Sequence, residues 1–333
     1  MRRGAGDRTI FVEAPARLHF GVLDLRGGLG RWFGGIGAAA PAPSLLVSVQ
    51  PHDRLEVSGV DGERAAEFAR RFLSRHGLRS GARIAVHRAL PPHAGLGSGT
   101  QLALAVARAL AELSGIASDV SGLASAVGRA ERSAVGTWTF AGGGLVLEGG
   151  RRAGSTAAAP LLARILFPST WHCVVAVPDA APGISGAAEA EALAALPPPP
   201  EGEVERVAHL VLMALLPALA EADLGRFGGA LNAIQAITGR WFAPAQGGTF
   251  APGPSAELVR RMAEWGAPGV GQSSWGPAVY GIVDGEAAGQ RLAERVRVAM
   301  GATSAAGSVY EGAFRADGAR VWQGAVSTPL AQQ

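Results

Sequence analysis

The chain has 333 residues, 48% hydrophobic and 17% charged, which excludes a disordered protein and supplies enough chain for two domains around substantial cores. All 30 basic residues are arginine and the net charge is only +3, so the pI of 9.9 reflects the missing lysine titration and is no argument for nucleic acid or a membrane. A single cysteine, Cys173, excludes a disulfide framework or a cysteine-based metal site within one chain.

In chain order, the amino-terminal "MRRGAGDRTIFVEAPARLHFG" has basic residues but no continuous apolar region, so no signal peptide is expected. The segment "APARLHFGVLDL" reads as a strand interrupted by Arg17, His19 and Asp24, and the two-residue period puts Arg17 and His19 on one face. A half-exposed strand with a solvated face is the plain alternative. The alternating "GARIAVHRAL" predicts another strand, followed by the small-residue loop "PPHAGLGSGTQ" and a helix over Gln101–Leu110. Strand, glycine loop and helix start make an anion site, because unpaired N–H groups and the positive end of the helix dipole favour phosphate. An ordinary glycine turn remains the alternative for that segment alone. In "GRAERSAVGTWTFAGGGLVLEGG", Glu131, Arg132 and Ser133 are expected to end a helix before a glycine-rich hairpin. A carboxylate near a phosphate loop suits Mg²⁺, although Glu131 and Arg132 could equally be a surface pair.

Arg151, Arg152 and the following "AGSTAAAP" mark a domain boundary. Beyond it, "WHCVVAVP" predicts a buried strand containing Cys173, and "LPPPPEGEVER" a proline-rich connector. Helices are expected at 204–222, 224–239 and 255–265, then a strand at "PAVYGIVD", a helix at "GQRLAERVRVAM" and a last strand near "GSVYEGAFRADGARV". The apolar run "VAHLVLMALLPALA" is too short to cross a bilayer. The order of elements predicts an α+β fold with helices on one side of mostly antiparallel sheets. Between these elements, "GVGQSSWGPAVYG" sets Gln272, Ser273, Ser274 and Trp275 among glycines, the composition of a binding loop, and "APAQGGTF" adds Gln246 and Gly247.

These segments resemble the GHMP kinase superfamily: "PPHAGLGSGT" its phosphate-binding motif and "GVGQSSWGPAVYG" its carboxy-terminal glycine motif. Within it, "ARLHFGVLDL", "GLGSGTQLALAVA", "RSAVGTWTFAGGG", "PGISGAAEAEAL", "LNAIQ", "QGGTF" and "GQSSWGPAVYG" resemble the beta-ribofuranosylaminobenzene 5'-phosphate synthase family. The resemblance implies a two-domain fold, with a ribosomal protein S5 domain 2-like domain at 8–155 and a ferredoxin-like α/β sandwich at 156–328. It implies decarboxylating transfer of the phosphoribosyl group of 5-phosphoribosyl diphosphate to 4-aminobenzoate or 4-hydroxybenzoate, a step towards tetrahydromethanopterin in one-carbon metabolism.

On this resemblance Gly95, Leu96, Gly97, Ser98, Gly99, Thr100 and Gln101 bind phosphate, and Glu131 with Ser98 holds Mg²⁺. Arg17, His19, Asp24, Glu131 and Arg132 act in catalysis, with Arg17 ahead of Arg132 as the anchor for a carboxylate or the 5-phosphate. Ser133, Gln246, Gly247, Gln272, Ser273, Ser274 and Trp275 contact substrate, Trp275 by stacking on the arene. GHMP kinases commonly carry an aspartate base shortly after the magnesium glutamate; after Glu131 this sequence has none, which suits a reaction with no alcohol to deprotonate. A cytoplasmic homodimer without nucleic-acid or membrane partners is expected. The rival readings are an ATP-dependent small-molecule kinase and a non-catalytic ligand-binding protein on the same fold.

Overall fold

A computed structural model gives the fold and describes residues 8–79, 81–184, 186–302 and 306–324. The first seven residues, and residues 325–328 expected at the end of the second domain, lie outside the described residues. The long strands β1 (Thr9–Asp24) and β2 (Arg31–His52) form an antiparallel pair, followed by β3 (Glu56–Gly59), α1 (Gly62–Arg75) and β4 (Gly81–Arg88). Then come α2 (Ser98–Ser114), α3 (Val120–Ala126), α4 (Val135–Gly142), β5 (Leu145–Glu148), β6 (Arg151–Arg152) and β7 (Leu161–Ile165). The strand period sorts β1 cleanly: Ile10, Val12, Ala14, Ala16, Leu18 and Phe20 are buried in the core, and Arg17 and His19 take the opposite face.

The remaining chain supplies β8 (Trp171–Pro178), α5 (Gly186–Ala195), α6 (Glu201–Leu210), a π-helical turn (Val211–Leu215) and α7 (Leu216–Ala220). Helices α8 (Leu224–Gln246) and α9 (Pro254–Glu264) precede β9 (Gly269–Gln272), β10 (Val279–Asp284), α10 (Glu286–Ala302), β11 (Gly307–Ala313) and β12 (Arg320–Gly324). Among the described residues the strands make two sheets. One has the path β12-β1-β2-β4-β3 with β5, β6 and β7 attached on the β2 side; the other runs β11-β8-β10-β9. All pairings are antiparallel except β3 with β4, which α1 connects as a parallel crossover. Strands β7 and β12 follow residue 155 in the chain yet lie in the first sheet, paired with β5 and β1.

The α+β character and the antiparallel bias agree with the sequence, but three local expectations are corrected. The second sheet is covered on both faces: Val174 and Ala176 pack with Leu258 and Met262 of α9 and Val296 of α10, while Cys173 and Val175 join the core that contains α8 and the first sheet. That double burial accounts for the unbroken apolar run of β8. The helix expected at 204–222 is divided by the π turn, with Pro217 accommodated at the start of α7 where a missing N–H is harmless. Glu131, Arg132 and Ser133 do not end a helix before a hairpin; they lie in the loop between α3 and α4, because Gly128 and Ala130 take positive φ and stop α3 short. Among the described residues no helix is long and apolar enough to cross a membrane.

Helix α8 reaches the site because Gly228 lets it approach the chain before β9: a Cβ there would lie 2.3 Å from the Pro268 backbone. Gly228→Ala is therefore expected to destabilise the protein by about 1–3 kcal/mol through overpacking. Urea unfolding checks this, and an unchanged midpoint and slope would contradict the close approach.

Candidate active site

The glycine loop and the "GQSSWG" loop interlock. Gly95 has φ 76° and no room for a side chain, since a Cβ would lie 2.1 Å from the Ser273 carbonyl oxygen. The Ser273 hydroxyl donates to the Gly95 carbonyl at 2.6 Å and accepts the His19 N–H at 2.9 Å. The Ala278 N–H donates to the Ala94 carbonyl at 3.1 Å, and the Arg17 N–H to the Leu96 carbonyl at 3.0 Å. The Arg17 guanidinium also donates to the Gly95 carbonyl. Gly97, φ 76°, begins α2 and passes against the Arg17 side chain, whose Cγ would lie 2.7 Å from a Cβ at that position.

These contacts border a cavity of about 250 Å³. Arg17, His19, Thr100, Glu131, Arg132, Ser133, Gln246, Gln272, Ser274 and Trp275 all line it, so residues from all five singled-out segments meet in one place. Ser273 is not among the lining residues: it is fully buried and spends both hydrogen-bonding directions on the joint. Leu96 is a core side chain that offers only its backbone, and Gln101 is buried with its amide donating to the Gly136 carbonyl at 2.9 Å. Ser98, Gly247 and Asp24 do not line the cavity either; the Asp24 carboxylate instead accepts the Arg26 and Gly27 N–H groups at 2.5 and 3.0 Å in the turn after β1. Trp275 stands edge-on to Phe242, ring centroids 4.9 Å apart, and its indole donates to Glu189 at 3.1 Å. Gln272 is committed to Ala251 N–H, Gln246 and the Ser274 carbonyl, which fixes this wall as a hydrogen-bonded frame.

The electrostatics are strongly perturbed. Burial, partly offset by Glu189, lowers Arg17 to about 10, so its guanidinium remains charged at neutral pH. Burial and the Arg17 charge push His19 down to about 3, leaving a neutral imidazole whose Nε2 is 3.2 Å from the Ser133 hydroxyl. Arg132 is held by Glu189 at 2.6 Å. Among the described residues no group of three or more His, Cys, Asp or Glu side chains is arranged to hold a metal ion. One carboxylate on the cavity wall, Glu131, is nevertheless the kind of partial ligand set that Mg²⁺ uses when substrate phosphates and water complete its shell.

Several participants escaped sequence reasoning. Arg129 lines the cavity, stacked over the Phe68 ring at 4.7 Å, and its Nε is buried without a partner. Its Nη2 and that of Arg64 would lie 3.1 and 2.7 Å from a Cβ on Gly99, so two guanidiniums overhang the first turn of α2. Burial and the charges of Arg64 and Arg71 lower the Arg129 pKa. Glu189 of α5 and Gln235, Thr238 and Phe242 of α8 also line the cavity. The signal for Arg129 is its place two residues before Glu131; in a chain with 30 arginines it did not stand out.

The GHMP kinases N terminal domain family matches residues 63–143, from α1 through α4. The fold is also that of homoserine kinase from Cytophaga hutchinsonii (TM-score 0.66, 18% identity, 97% of this chain and 99% of that one) and of mevalonate pyrophosphate decarboxylase from Streptococcus pyogenes (TM-score 0.67, 15%, 94% and 99%). Two relatives are far nearer in sequence, both named beta-ribofuranosylphenol 5'-phosphate synthase. That of Methanothermobacter thermautotrophicus is 34% identical over 83% of this chain and 89% of its own length, and that of Archaeoglobus fulgidus 35% over 84% and 89%. Matches this long make the chain a GHMP kinase superfamily member belonging to the beta-ribofuranosylphenol 5'-phosphate synthase family.

Proposed function

We propose that this enzyme joins the 5-phosphoribosyl group of 5-phosphoribosyl diphosphate to the carboxylate-bearing ring carbon of 4-hydroxybenzoate or 4-aminobenzoate, releasing CO₂ and diphosphate, at the entry to tetrahydromethanopterin biosynthesis. The observation that carries the reading is the kinship with synthases over more than four-fifths of the chain. The cavity supports it chemically: cationic groups lie beside the α2 N-terminus, and no aspartate follows Glu131 to serve as a base for an alcohol. That absence weighs against the kinase reading, for which the kinase neighbours supply fold likeness alone.

In this reading the α2 N-terminus, Arg129 and Arg64 receive the donor's phosphates. As the bond from ribosyl C1 to diphosphate lengthens, negative charge grows on the leaving group and positive charge on C1. Fixed guanidiniums and N–H dipoles stabilise the growing anion without reorganising, which lowers the barrier more than it tightens ground-state binding. Glu131 fits a Mg²⁺ shared with the donor, an ion that would add charge neutralisation at the diphosphate. The ring carbon attacks C1 from the face opposite the departing group, giving the β-riboside, and loss of CO₂ restores aromaticity. Arg17 is the anchor for an anionic group of either substrate, while the Trp275 and Phe242 wall flanks the arene.

Purified protein incubated with Mg²⁺, 5-phosphoribosyl diphosphate and carboxyl-labelled 4-hydroxybenzoate or 4-aminobenzoate is expected to release labelled CO₂ only when the donor is present. ATP-dependent phosphorylation of an alcohol without CO₂ release would establish the kinase reading instead, and donor binding without turnover the non-catalytic one. Arg129→Ala is expected to raise the KM for the donor roughly 10- to 100-fold, the loss of one charge-assisted contact, with the acceptor KM little changed. Equal rises in both would deny Arg129 a donor-specific role. Glu131→Gln should shift the Mg²⁺ activation curve to higher concentration; an unchanged curve would move the metal elsewhere.

A further inference from the structure

One buried carboxylate has no part in the chemistry so far. Glu148, at the end of β5, is fully buried, and its two oxygens accept the Ala134 N–H at 3.3 Å and the Gly150 N–H at 2.8 Å. The nearby Ser133 hydroxyl favours the ionised form of this carboxylate, and its oxygen also accepts the Val135 N–H at 3.3 Å. The same Ser133 oxygen lies 3.2 Å from His19 Nε2, and both His19 and Ser133 line the cavity. Gly35 of β2 closes the far side of this arrangement: a Cβ there would lie 2.8 Å from Glu148 Oε1 and 3.2 Å from Ser133 Oγ. A cavity-facing imidazole and a carboxylate removed from solvent thus flank one hydroxyl.

We infer that His19, Ser133 and Glu148 form a proton relay in which Glu148 is the positioning residue that sets the His19 tautomer and takes up the proton that His19 removes from the acceptor. The inference rests on the ribosyl-transfer reading above and extends it. With Glu148 ionised, the Ser133 O–H donates to the carboxylate and His19 Nε2–H donates to Ser133 Oγ, which leaves Nδ1 as an acceptor. When 4-hydroxybenzoate attacks, its O–H bond breaks and an Nδ1–H bond forms. In concert Nε2–H passes to Ser133 Oγ, and the serine proton to Glu148. The O–H electron pair becomes a ring carbonyl, a ring π pair forms the bond to C1, and the bond from C1 to diphosphate breaks. The carboxyl C–C pair then returns to the ring as CO₂ leaves, and the resulting phenolate recovers the proton along the same path. 4-Aminobenzoate needs no proton removal, since expulsion of CO₂ from its iminium intermediate regenerates the amine directly.

The charged surroundings suit this task. Burial, opposed by the Gly150 and Ala134 N–H groups, Ser133 and Arg31, pushes the Glu148 carboxyl up to about 7. Arg31 of β2 is the cation facing it and donates to the Gly149 and Gly150 carbonyls at 3.2 and 2.7 Å. Arg164 of β7 is turned to the Gly143 and Trp138 carbonyls instead. Arg17, on the same strand as His19, opposes an imidazolium. A histidine held neutral passes a proton on and does not store it; a carboxyl poised near neutrality can receive it and give it back.

The test compares kcat and KM across pH for the full-length wild type, Glu148→Gln, Glu148→Asp and Ser133→Ala with each benzoate, alongside ¹⁵N NMR of the histidines with His19→Gln for assignment. With 4-hydroxybenzoate, wild-type kcat is expected to rise with pH through about 7, as Glu148 ionises and becomes able to accept. Glu148→Gln and Ser133→Ala should each lose that limb and about 100-fold in kcat, with donor KM changed less than about threefold and a smaller loss on 4-aminobenzoate. Glu148→Asp should keep the limb. Wild-type His19 should change from the Nε2–H to the Nδ1–H tautomer as pH falls through about 7, and stay in one form in Glu148→Gln. A wild-type His19 with one tautomer from about pH 5.5 to 8.5 overturns the relay, even if Glu148→Gln fails to fold. So does Ser133→Ala with an intact kcat profile. Absence of CO₂ release beside a normal tautomer change would instead defeat the ribosyl-transfer reading and leave the relay standing.

Discussion

The Ser273 hydroxyl accepts an N–H from His19 and donates to the Gly95 carbonyl, so one fully buried oxygen joins β1, the glycine loop and the segment after β9 across as many as 254 residues of sequence. Each partner is a backbone group that must find a bond in a dry interior, and leaving one unmade costs about 1–3 kcal/mol. Gly95 has to be glycine for the approach to occur at all, because its missing side chain is the space that the Ser273 carbonyl occupies. The geometry of α2's N-terminus relative to the Gln272–Trp275 wall follows from this joint. In the proposed reading a phosphate held at one and an arene held at the other would therefore share a fixed separation.

The joint also determines where charge can stand. Arg17 is pulled inward because its guanidinium and its N–H both serve the glycine loop, through the Gly95 and Leu96 carbonyls. Burial keeps the His19 imidazole neutral, and the half-buried Arg17 guanidinium two residues before it on the same strand face adds to that push. One side chain thus both supports the loop and reinforces the effect of burial on the histidine.

Much of this site was legible in the sequence. The two-residue strand period placed Arg17 and His19 on one face, and glycine-rich composition with polar residues marked loops that do meet in the cavity. Other features were not legible, for physical reasons. Ser273 and Ser274 look alike in sequence, yet the positive φ of Ser274 leaves one facing the cavity while the other is buried in the joint. Asp24 precedes a glycine pair, and its carboxylate was as well suited to the turn as to a substrate; the nearby Arg26 and Gly27 N–H groups won. Glu148, in "LVLEGG", reads as the polar end of a strand, and nothing local reveals that β2 and the start of α4 fold over it. Arg64 and Arg129 converge only through α1 and the loop after α3, a tertiary contact without a sequence period.

The arrangement around Gly99 bears on why a fold shared with kinases can serve ribosyl transfer. Burial and then the charges of Arg64 and Arg71 lower the Arg129 pKa beside a helix N-terminus, while Arg64 keeps an ion pair with Asp61 at 2.9 Å. A polyphosphate bound there, as the proposed function has it, would offset both the burial and the like charge. That offset would grow as the leaving group gains charge, which is the increment that distinguishes the transition state from the ground state. A phosphoryl-transfer enzyme must also ready an alcohol, whereas here carbon attacks and the leaving group carries most of the developing charge. Guanidiniums beside the loop and a neutral imidazole lining the same cavity suit such a reaction.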